Sequence, residues 1–318
     1  MNLLERQLDL EVLARRSEAA ALGQGHALFV CGEAGIGKSA LLSVFLDSLD
    51  DVVVLRGYCD ALATPQALGP VLEMWSQLRG TSTEVSREQL FSSISNDLRL
   101  ATTLHVLVIE DLHWADEATL DFIRDVGRRL ERWRCLLIVT FRDDEIGPSH
   151  PLRRVLGDLS DNHVSRLKLA PLSAAAVAQL ASAAGQDGER VYAITGGNAF
   201  FVRELLSAPP GSVPASVRDS MLAKLARCSA AARQVSEYVA LMPGRMDMKL
   251  LASLLGTNND GVDQCIERGI LLHERGALAF RHELARRAVE DSLLPARSQQ
   301  SHALILAALL QSSGEVGR

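Results

Sequence analysis

Residues 26–40 read His26-Ala-Leu-Phe-Val-Cys31-Gly32-Glu33-Ala34-Gly35-Ile36-Gly37-Lys38-Ser39-Ala40. The first six form a short apolar run bounded by glycines, which predicts a buried β-strand. A helical pattern begins at Ala40. The loop between them has the spacing GxxxxGK[ST], in which glycines let backbone N–H groups curl around phosphate oxygens at the positive end of the new helix. The stretch therefore predicts a phosphate-binding loop.

Each polar residue of this loop has an expected role. Lys38 is expected to neutralise charge on the β- and γ-phosphates, and the Ser39 hydroxyl to bind Mg²⁺. The ligand predicted from this chemistry is a nucleoside triphosphate with its metal ion. The predicted nucleotide-binding residues of the loop are Gly32, Glu33, Ala34, Gly35, Ile36, Gly37, Lys38, Ser39 and Ala40.

A second motif places two carboxylates after an apolar run. Residues 106–109 read Val-Leu-Val-Ile and lead directly into Glu110 and Asp111. This is a Walker B arrangement, in which one carboxylate holds Mg²⁺ through water and the other polarises the attacking water. We predict Ser39, Glu110 and Asp111 as metal-site residues and both carboxylates as catalytic, without deciding between their roles.

An arginine follows the next apolar run. Thr140-Phe141-Arg142 closes a buried strand predicted over 135–141. A guanidinium at this position is suited to stabilise charge on a transferring phosphoryl group. We predict Arg142 as a γ-phosphate sensor, with an exposed surface arginine as an equal alternative.

Strand and helix patterns alternate through the first half of the chain, which predicts an α/β fold with a five-stranded parallel sheet. Together with the phosphate loop, this pattern predicts a P-loop NTPase. The predicted strands are 26–31, 52–55, 104–109, 135–141 and 164–169. The predicted helices between them include 67–78, 86–100 and 115–132.

After Pro171 the pattern becomes mostly helical. The segment 207–214 contains three prolines and a glycine, which mark a domain joint. Two apolar runs around Arg275-Gly276 predict a β-hairpin within 269–280. Helices followed by a hairpin predict a winged-helix-like domain. The predicted helices of this half are 173–184, 199–207, 216–227, 230–241 and 248–255.

Composition limits the class of protein. The chain has 318 residues and a net charge of −6, divided as −7 over 1–170 and +1 over 171–318, which argues against direct nucleic-acid binding. Five scattered cysteines favour a reducing compartment. The first residues lack the apolar core of a signal peptide, and no apolar stretch approaches a membrane span. We expect a cytoplasmic protein without membrane or direct nucleic-acid partners.

Several tempting residues are assigned structural or surface roles. Cys31 adjoins the phosphate loop but is interpreted as a buried strand cysteine. The arginines of 128–134 are interpreted as an exposed helix face. Five histidines lie singly, without metal-ligand spacing, so no metal other than Mg²⁺ is expected. These histidines are His105, His150, His163, His273 and His302.

Together the motifs resemble the STAND signal-transduction ATPases, specifically the ATPase core of large ATP-binding LuxR-type transcriptional regulators and related cyclase-linked AAA-type ATPases. The resemblance covers nearly the whole chain, and the His-Trp-Ala-Asp tail of its Walker B motif is unusually specific. It rests on Leu3–Arg6, Gly32–Ser39, Val108–Asp116, Thr195–Glu204, Val213–Arg218 and Phe280–Leu284.

This resemblance implies three parts and a switch. The parts are a P-loop ATPase domain over 1–170, a helical lid over 171–212 and a winged-helix-like domain with a C-terminal helix over 213–318. In the family an ADP form is closed, ATP with an inducer opens it, and the open form self-associates. The resemblance implies ATP/ADP as the nucleotide, with Arg6 near its base, Asn198 in the lid motif and His282 at the ADP β-phosphate.

The sequence departs from the family in three respects. Glu110 stands where an aspartate usually holds Mg²⁺, so Asp111 is an alternative metal ligand. Ala199 replaces the proline of the lid motif Gly-Gly-Asn-Pro. Family members continue into sensor repeats and an effector domain, and we expect both to be absent from this chain.

We therefore expect a slowly hydrolysing, ATP-binding switch core. One alternative is a nucleotide-binding regulatory or docking module that does not hydrolyse, which the Glu110 and Ala199 departures favour. Another is a DNA-binding regulator acting through Arg281, Arg286 and Arg287, which the near-zero charge of that half opposes.

Overall fold

The structure is a computed structural model and describes residues 3–60, 66–79, 86–159, 163–209, 211–256 and 260–315, with side chains as far as residue 311. Pro210 of the predicted joint lies outside these residues. The chain divides into two compact units, Met1–Ala170 and Pro171–Arg318.

A five-stranded parallel sheet forms the centre of the first unit, in the order β2-β3-β4-β1-β5. Its strands are β1 (His26–Cys31), β2 (Val53–Tyr58), β3 (His105–Glu110), β4 (Cys135–Phe141) and β5 (Val164–Lys168). The apolar runs form these strands because both faces of the sheet are covered, and β1, β3 and β4 are buried along their whole length. The predicted α/β fold is confirmed.

Helices flank this sheet on both faces. They are α1 (Gln7–Ala21), α2 (Lys38–Leu46), α3 (Gly69–Arg79), α4 (Arg87–Leu100), α5 (Glu117–Arg129) and α6 (Leu152–Asp158). One face packs against α1 and α2 through residues such as Leu28 and Val108, and the opposite face packs against α3 to α6 through residues such as Phe29 and Ile109. The alternation of period 2 along each strand produces these two cores.

Strand order brings the functional motifs to one edge. Strands β3, β4 and β1 are neighbours and run in the same direction. Their carboxyl ends therefore deliver Glu110, Arg142 and the phosphate loop to the same edge of the sheet, the usual ligand site of open α/β sheets.

The second unit is helical with a small antiparallel sheet in the order β6-β8-β7. The predicted hairpin is present as β7 (Leu271–Glu274) and β8 (Ala277–Phe280), and β6 (Met246–Asp247) adds a third strand. The helices are α7 (Ala174–Ala183), α8 (Gly188–Thr195), α9 (Ala199–Ser207), α10 (Ala215–Ala226), α11 (Ala230–Ala240), α12 (Met248–Leu255), α13 (Asp260–Glu267), α14 (Glu283–Glu290) and α15 (Pro295–Glu315). A separate apolar core joins the hairpin to α11, α13 and α14.

Candidate nucleotide-binding site

The phosphate loop connects β1 to α2 without a gap. Gly35 and Gly37 have φ values of 77° and 107°, which a residue with a Cβ adopts at a cost. Ile36 between them is buried and anchors the loop to the core beside α2. Ser39 and Ala40 lie in the first turn of α2, where the orphan N–H groups of the helix are found.

The Lys38 ammonium is folded back onto the loop. Its Nζ donates to the carbonyl oxygens of Gly32 at 2.7 Å and Glu33 at 3.0 Å. Lys38 is buried, and burial lowers its pKa, with the Arg142 charge adding to the effect and Asp111 opposing it. The lysine is thus held against the loop by these two carbonyl groups.

The Glu110 carboxylate joins the loop helix to a neighbouring strand. Its Oε2 accepts a hydrogen bond of 2.6 Å from the Ser39 hydroxyl, and its Oε1 lies 2.5 Å from Arg56 Nη2. Glu110 is buried at the end of β3. Ser39 and Glu110, both expected at the metal site, are therefore in direct contact.

Sequence reasoning missed Arg56. The strand expected over 52–55 continues to Tyr58, so Arg56 lies inside β2, and Tyr58 is in register with Glu110. The alternation of Leu55, Arg56, Gly57 and Tyr58 could have extended the strand to Tyr58, but it does not indicate the contact of Arg56 with Glu110.

Asp111 contacts Thr140 and Arg142. Its φ is 55°, in the left-handed region, and its backbone N–H donates to Thr140 Oγ1 at 3.0 Å. The carboxylate Oδ1 lies 3.9 Å from Arg142 Nε. Burial raises the pKa of Asp111, while Arg142 and Lys38 oppose that rise. The two consecutive carboxylates thus have separate environments.

Arg142 is held by a carboxylate and an aromatic ring. Its Nη1 donates to Glu145 Oε1 at 2.8 Å, and its guanidinium carbon lies 4.7 Å from the centre of the Trp114 ring. Only about a quarter of the side chain is exposed, 23%. The expectation of a freely exposed surface arginine does not describe this environment.

His113 is buried next to Asp111 and Glu145. Its ring nitrogens are 3.8 Å from Asp111 and 3.7 Å from Glu145, and neither has a hydrogen-bond partner within the described part of the chain. Burial lowers the pKa of His113 to about 3, so the ring is neutral at pH 7. The histidine of the His-Trp-Ala-Asp tail is therefore a buried neutral ring that adds no positive charge to the site.

The aspartate of that tail has a helical role. Asp116 is the N-cap of α5, and its carboxylate accepts from the Thr119 N–H at 3.0 Å and from the Leu68 N–H at 3.3 Å. It ties the start of α5 to the segment before α3.

Arg6 is buried against the loop from the N-terminal side. Its Nη2 donates to the carbonyl oxygens of Ile36 at 3.1 Å and Ala170 at 2.7 Å. The structure therefore places Arg6 as a brace between the loop and the residues after β5.

Asn198 and His282 belong to the second unit. Asn198 caps α9, accepting from the Phe201 N–H at 3.4 Å, and the His282 ring lies edge-on to Phe201 with 4.9 Å between centroids. A Cβ on Gly196 would lie 3.3 Å from His282 Nδ1. The Gly-Gly-Asn motif and His282 thus meet in this unit.

The remaining expectations concern cysteines, metals and membranes. All five cysteines are buried free thiols, and burial raises the pKa of Cys31, which keeps it in the thiol form. Among the described residues no group of three or more His, Cys, Asp or Glu side chains is arranged to hold a metal ion. None of the described helices has the length and apolar character needed to span a membrane.

The sheet order and the loop define the fold of the P-loop NTPases. Residues 2–139 match the family model described as the AAA ATPase domain. The chain resembles a Walker-type ATPase of Pyrococcus abyssi, with a TM-score of 0.60, 12% identity and coverage of 90% of this chain and 96% of that one. It also resembles the ORC2 protein of Aeropyrum pernix, with a TM-score of 0.56, 14% identity and coverage of 97% and 96%.

A curated relative is an uncharacterised protein of Rhizobium meliloti (strain 1021). It is 22% identical over 392 aligned residues, which include 98% of this chain. The chain spans 37% of the length of that relative.

Proposed function

We propose that this chain binds ATP and ADP with Mg²⁺ and hydrolyses ATP slowly, so that the bound nucleotide sets the state of a switch. The observation that carries this proposal is the contact between Ser39 and Glu110 beside the buried Lys38. This arrangement joins a cation, a hydroxyl and a carboxylate at the start of a helix, where phosphate groups are favoured.

The donors at this edge suit Mg²⁺. The ion prefers oxygen ligands and binds through one or two carboxylates together with phosphates and water. The Ser39 hydroxyl and Glu110 carboxylate, 2.6 Å apart, supply such oxygens. When bound, Mg²⁺ supplies positive charge that stabilises the transferring phosphoryl group. The geometry favours Glu110 for the metal side and leaves Asp111 for the water.

The residues of the chain divide the work of hydrolysis. The loop N–H groups and Lys38 bind and orient the phosphates. Asp111, whose half-buried carboxylate lies beside Arg142, orients the attacking water and accepts its proton. Arg142, 3.9 Å from that carboxylate, moves from Glu145 to the γ-phosphate.

The switch requires the second unit. We infer that 171–212 acts as the lid and 213–318 as the winged-helix-like domain of a STAND-type regulator of the LuxR group. In this proposal Asn198 and His282 contact the nucleotide, Arg6 lies near its base, and the ATP form self-associates in the cytoplasm. The similar ORC2 protein was solved in ADPNP and ADP complexes, which supports an adenine nucleotide here.

Phosphate release from ATP tests the proposal. The wild-type protein is expected to turn over slowly, and Asp111→Asn to bind ATP but lose about a hundredfold in rate, as removal of a general base does. Asp125→Asn, whose carboxylate pairs with Arg129 on α5, is the control and should keep the wild-type rate.

Binding without turnover would favour the second candidate, a nucleotide-binding docking module. The pairing of Arg142 with Glu145 at 2.8 Å is the observation that favours it, because a restrained arginine does not stabilise the phosphoryl group. A wild-type rate equal to that of Asp111→Asn would contradict the hydrolytic proposal.

A further inference from the structure

Arg56 and Glu110 form a partly buried ion pair at the proposed nucleotide site. Arg56 Nη2 lies 2.5 Å from Glu110 Oε1, and the side chains are 32% and 7% exposed. The other oxygen of the same carboxylate, Oε2, accepts from Ser39 at 2.6 Å. Each oxygen of Glu110 therefore has its own donor, one from β2 and one from α2.

The sheet dictates this pairing. Tyr58 is opposite Glu110 in the parallel register of β2 and β3, and Arg56 is opposite Val108. Residues two apart on a strand share a face, so Arg56 and Glu110 both project toward the side occupied by α2. A long side chain at position 56 reaches diagonally to the carboxylate, which a shorter residue at that position does not reach.

The backbone and side chain of Arg56 are themselves restrained. Gln77 of α3 accepts from the Arg56 N–H at 2.9 Å and donates to its carbonyl oxygen at 2.6 Å, which fixes the exposed edge of β2. The guanidinium carbon lies 5.6 Å from the centre of the Tyr58 ring. The arginine is thus held in place before it contacts Glu110.

A glutamate needs such an anchor more than an aspartate does. Its extra methylene adds a rotatable bond, so an unanchored carboxylate samples more positions and loses more entropy when it is fixed. With Oε1 fixed by Arg56, Oε2 remains directed at the Ser39 hydroxyl.

We infer that Arg56 is a positioning residue for the Mg²⁺ carboxylate, holding Glu110 so that its Oε2 faces Ser39 and the metal. The inference rests on the proposed nucleotide site and adds to it the residue that orients the metal ligand. Arg56 acts through Glu110 and contacts neither the phosphate loop nor Lys38 in the described contacts.

The test is a Mg²⁺ titration of a fluorescent, non-hydrolysable ATP analogue bound to the full chain. Its first readout is the analogue affinity in EDTA, and its second is the Mg²⁺ concentration that half-saturates the metal-dependent signal. We expect Arg56→Ala to leave the affinity for the analogue in EDTA unchanged. We expect it to raise the half-saturating Mg²⁺ concentration on the order of tenfold, the low end of the loss in metal affinity that follows when a residue bonded to a metal ligand is removed. The half-saturating Mg²⁺ concentration of Arg56→Lys should lie between those of the wild type and Arg56→Ala.

The matched control is Arg79→Ala. Arg79 also pairs with a carboxylate, Asp97 at 2.7 Å, and also lies over an aromatic ring, Trp75 at 5.2 Å, but it sits on α3 without a contact to Ser39 or Glu110 in the described structure. Its Mg²⁺ midpoint should equal that of the wild type.

A double-mutant comparison separates positioning from general damage to the fold. In a Glu110→Gln background Arg56→Ala should add no further shift, because the carboxylate it orients is gone. An unchanged Mg²⁺ midpoint in Arg56→Ala, a lowered midpoint, or a shift that persists beside Glu110→Gln would each overturn this inference alone. A wild-type protein that binds no analogue in either condition would overturn the proposed function together with it.

Discussion

Glu110 and Asp111 are consecutive residues whose carboxylates have different partners. Glu110 ends a regular strand and contacts Ser39, whereas Asp111 adopts a left-handed conformation and faces Arg142. The two negative charges still interact, because Glu110 adds to the rise in the pKa of Asp111. In the proposed function, these different partners let Glu110 hold the metal and Asp111 the water molecule.

Arg142 provides a prediction at the scale of one residue. Arg142→Ala is expected to lower kcat about a hundredfold with little change in ATP affinity, because the guanidinium would act mainly on the charge of the transition state. Steady-state phosphate release combined with an equilibrium binding measurement checks both quantities.

Arg153→Ala is the control for this variant. Arg153 bonds the carbonyl oxygens of Gly147 and Ile146 and has no described contact with Asp111 or Glu145. Equal kcat values for the Arg142 and Arg153 variants would show that Arg142 is not a γ-phosphate sensor.

The functional residues within the motifs could be predicted from the sequence, but several of the residues that contact them could not. The spacing GxxxxGK[ST] indicated Lys38 and Ser39, and the apolar run before Glu110 indicated the paired acids. Arg56 and Glu145 carry no motif of their own and become visible only when strand register and loop path bring them to Glu110 and Arg142. Contacts of this kind depend on tertiary structure.

At the scale of elements, the phosphate loop depends on the strands that support it. The fully buried strands β1 and β4 have the bounds expected from their apolar runs. Strand β2 was expected to end at Leu55 but continues to Tyr58. Its last residues are held by backbone pairing with β3, which an apolar run in the sequence does not indicate. The two-residue strand β6 and the helix α6 were not predicted, since so short a pairing and a seven-residue helix leave little periodicity.

Gly57 gives a prediction for the contact of β2 with α3. A Cβ at Gly57 would lie against the Pro70 carbonyl oxygen, well inside van der Waals contact. Gly57→Ala is therefore expected to destabilise the first unit by about 1–3 kcal/mol, as overpacking of a close contact does. Urea denaturation followed by circular dichroism measures the change.

Gly157→Ala is the matched control within α6. A Cβ there meets no atom within 4 Å, so alanine should stabilise the helix by about 0.5–1 kcal/mol. Similar free energies of unfolding for the two variants would contradict the close packing of β2 on α3.

Across the two units, the described residues form three hydrophobic cores, two in the first unit and one in the second. The first unit encloses a parallel sheet between two layers of helices, and the second packs helices against a small antiparallel sheet. The change from strand–helix alternation to helices near Pro171 indicated this division in the sequence. The strand order could not be read from the sequence, since apolar runs of similar character specify burial without specifying neighbours.

Stability of the first unit should depend on pH through His26. This buried residue begins β1, its Nε2 lies 2.7 Å from Ser165 Oγ, and burial lowers its pKa from 6.5 to about 4. Between these values the unfolded chain binds a proton that the folded chain does not, so stability falls as the pH drops below 6.5. The expected loss from this group at pH 5 is about 2 kcal/mol.

Urea denaturation at pH 7.5 and pH 5.0 measures this dependence. His26→Gln should lose less stability over that interval than the wild type, by about the same 2 kcal/mol. His302→Gln, a change at an exposed position on α15, serves as the control and should follow the wild type. Parallel pH profiles for wild type and His26→Gln would show that His26 does not titrate differently on folding.

We propose that the phosphate loop binds a nucleotide through Lys38, and we would examine this by calorimetric titration with ADP and Mg²⁺. Lys38→Ala is expected to lose on the order of a hundredfold in affinity, as removal of a charge-assisted contact of up to about 3 kcal/mol would give. Lys168→Ala, at the end of β5 and paired with Asp143 at 2.7 Å, should bind ADP as the wild type does. Equal ADP affinities for Lys38→Ala and the wild type would show that Lys38 does not hold the nucleotide in this loop.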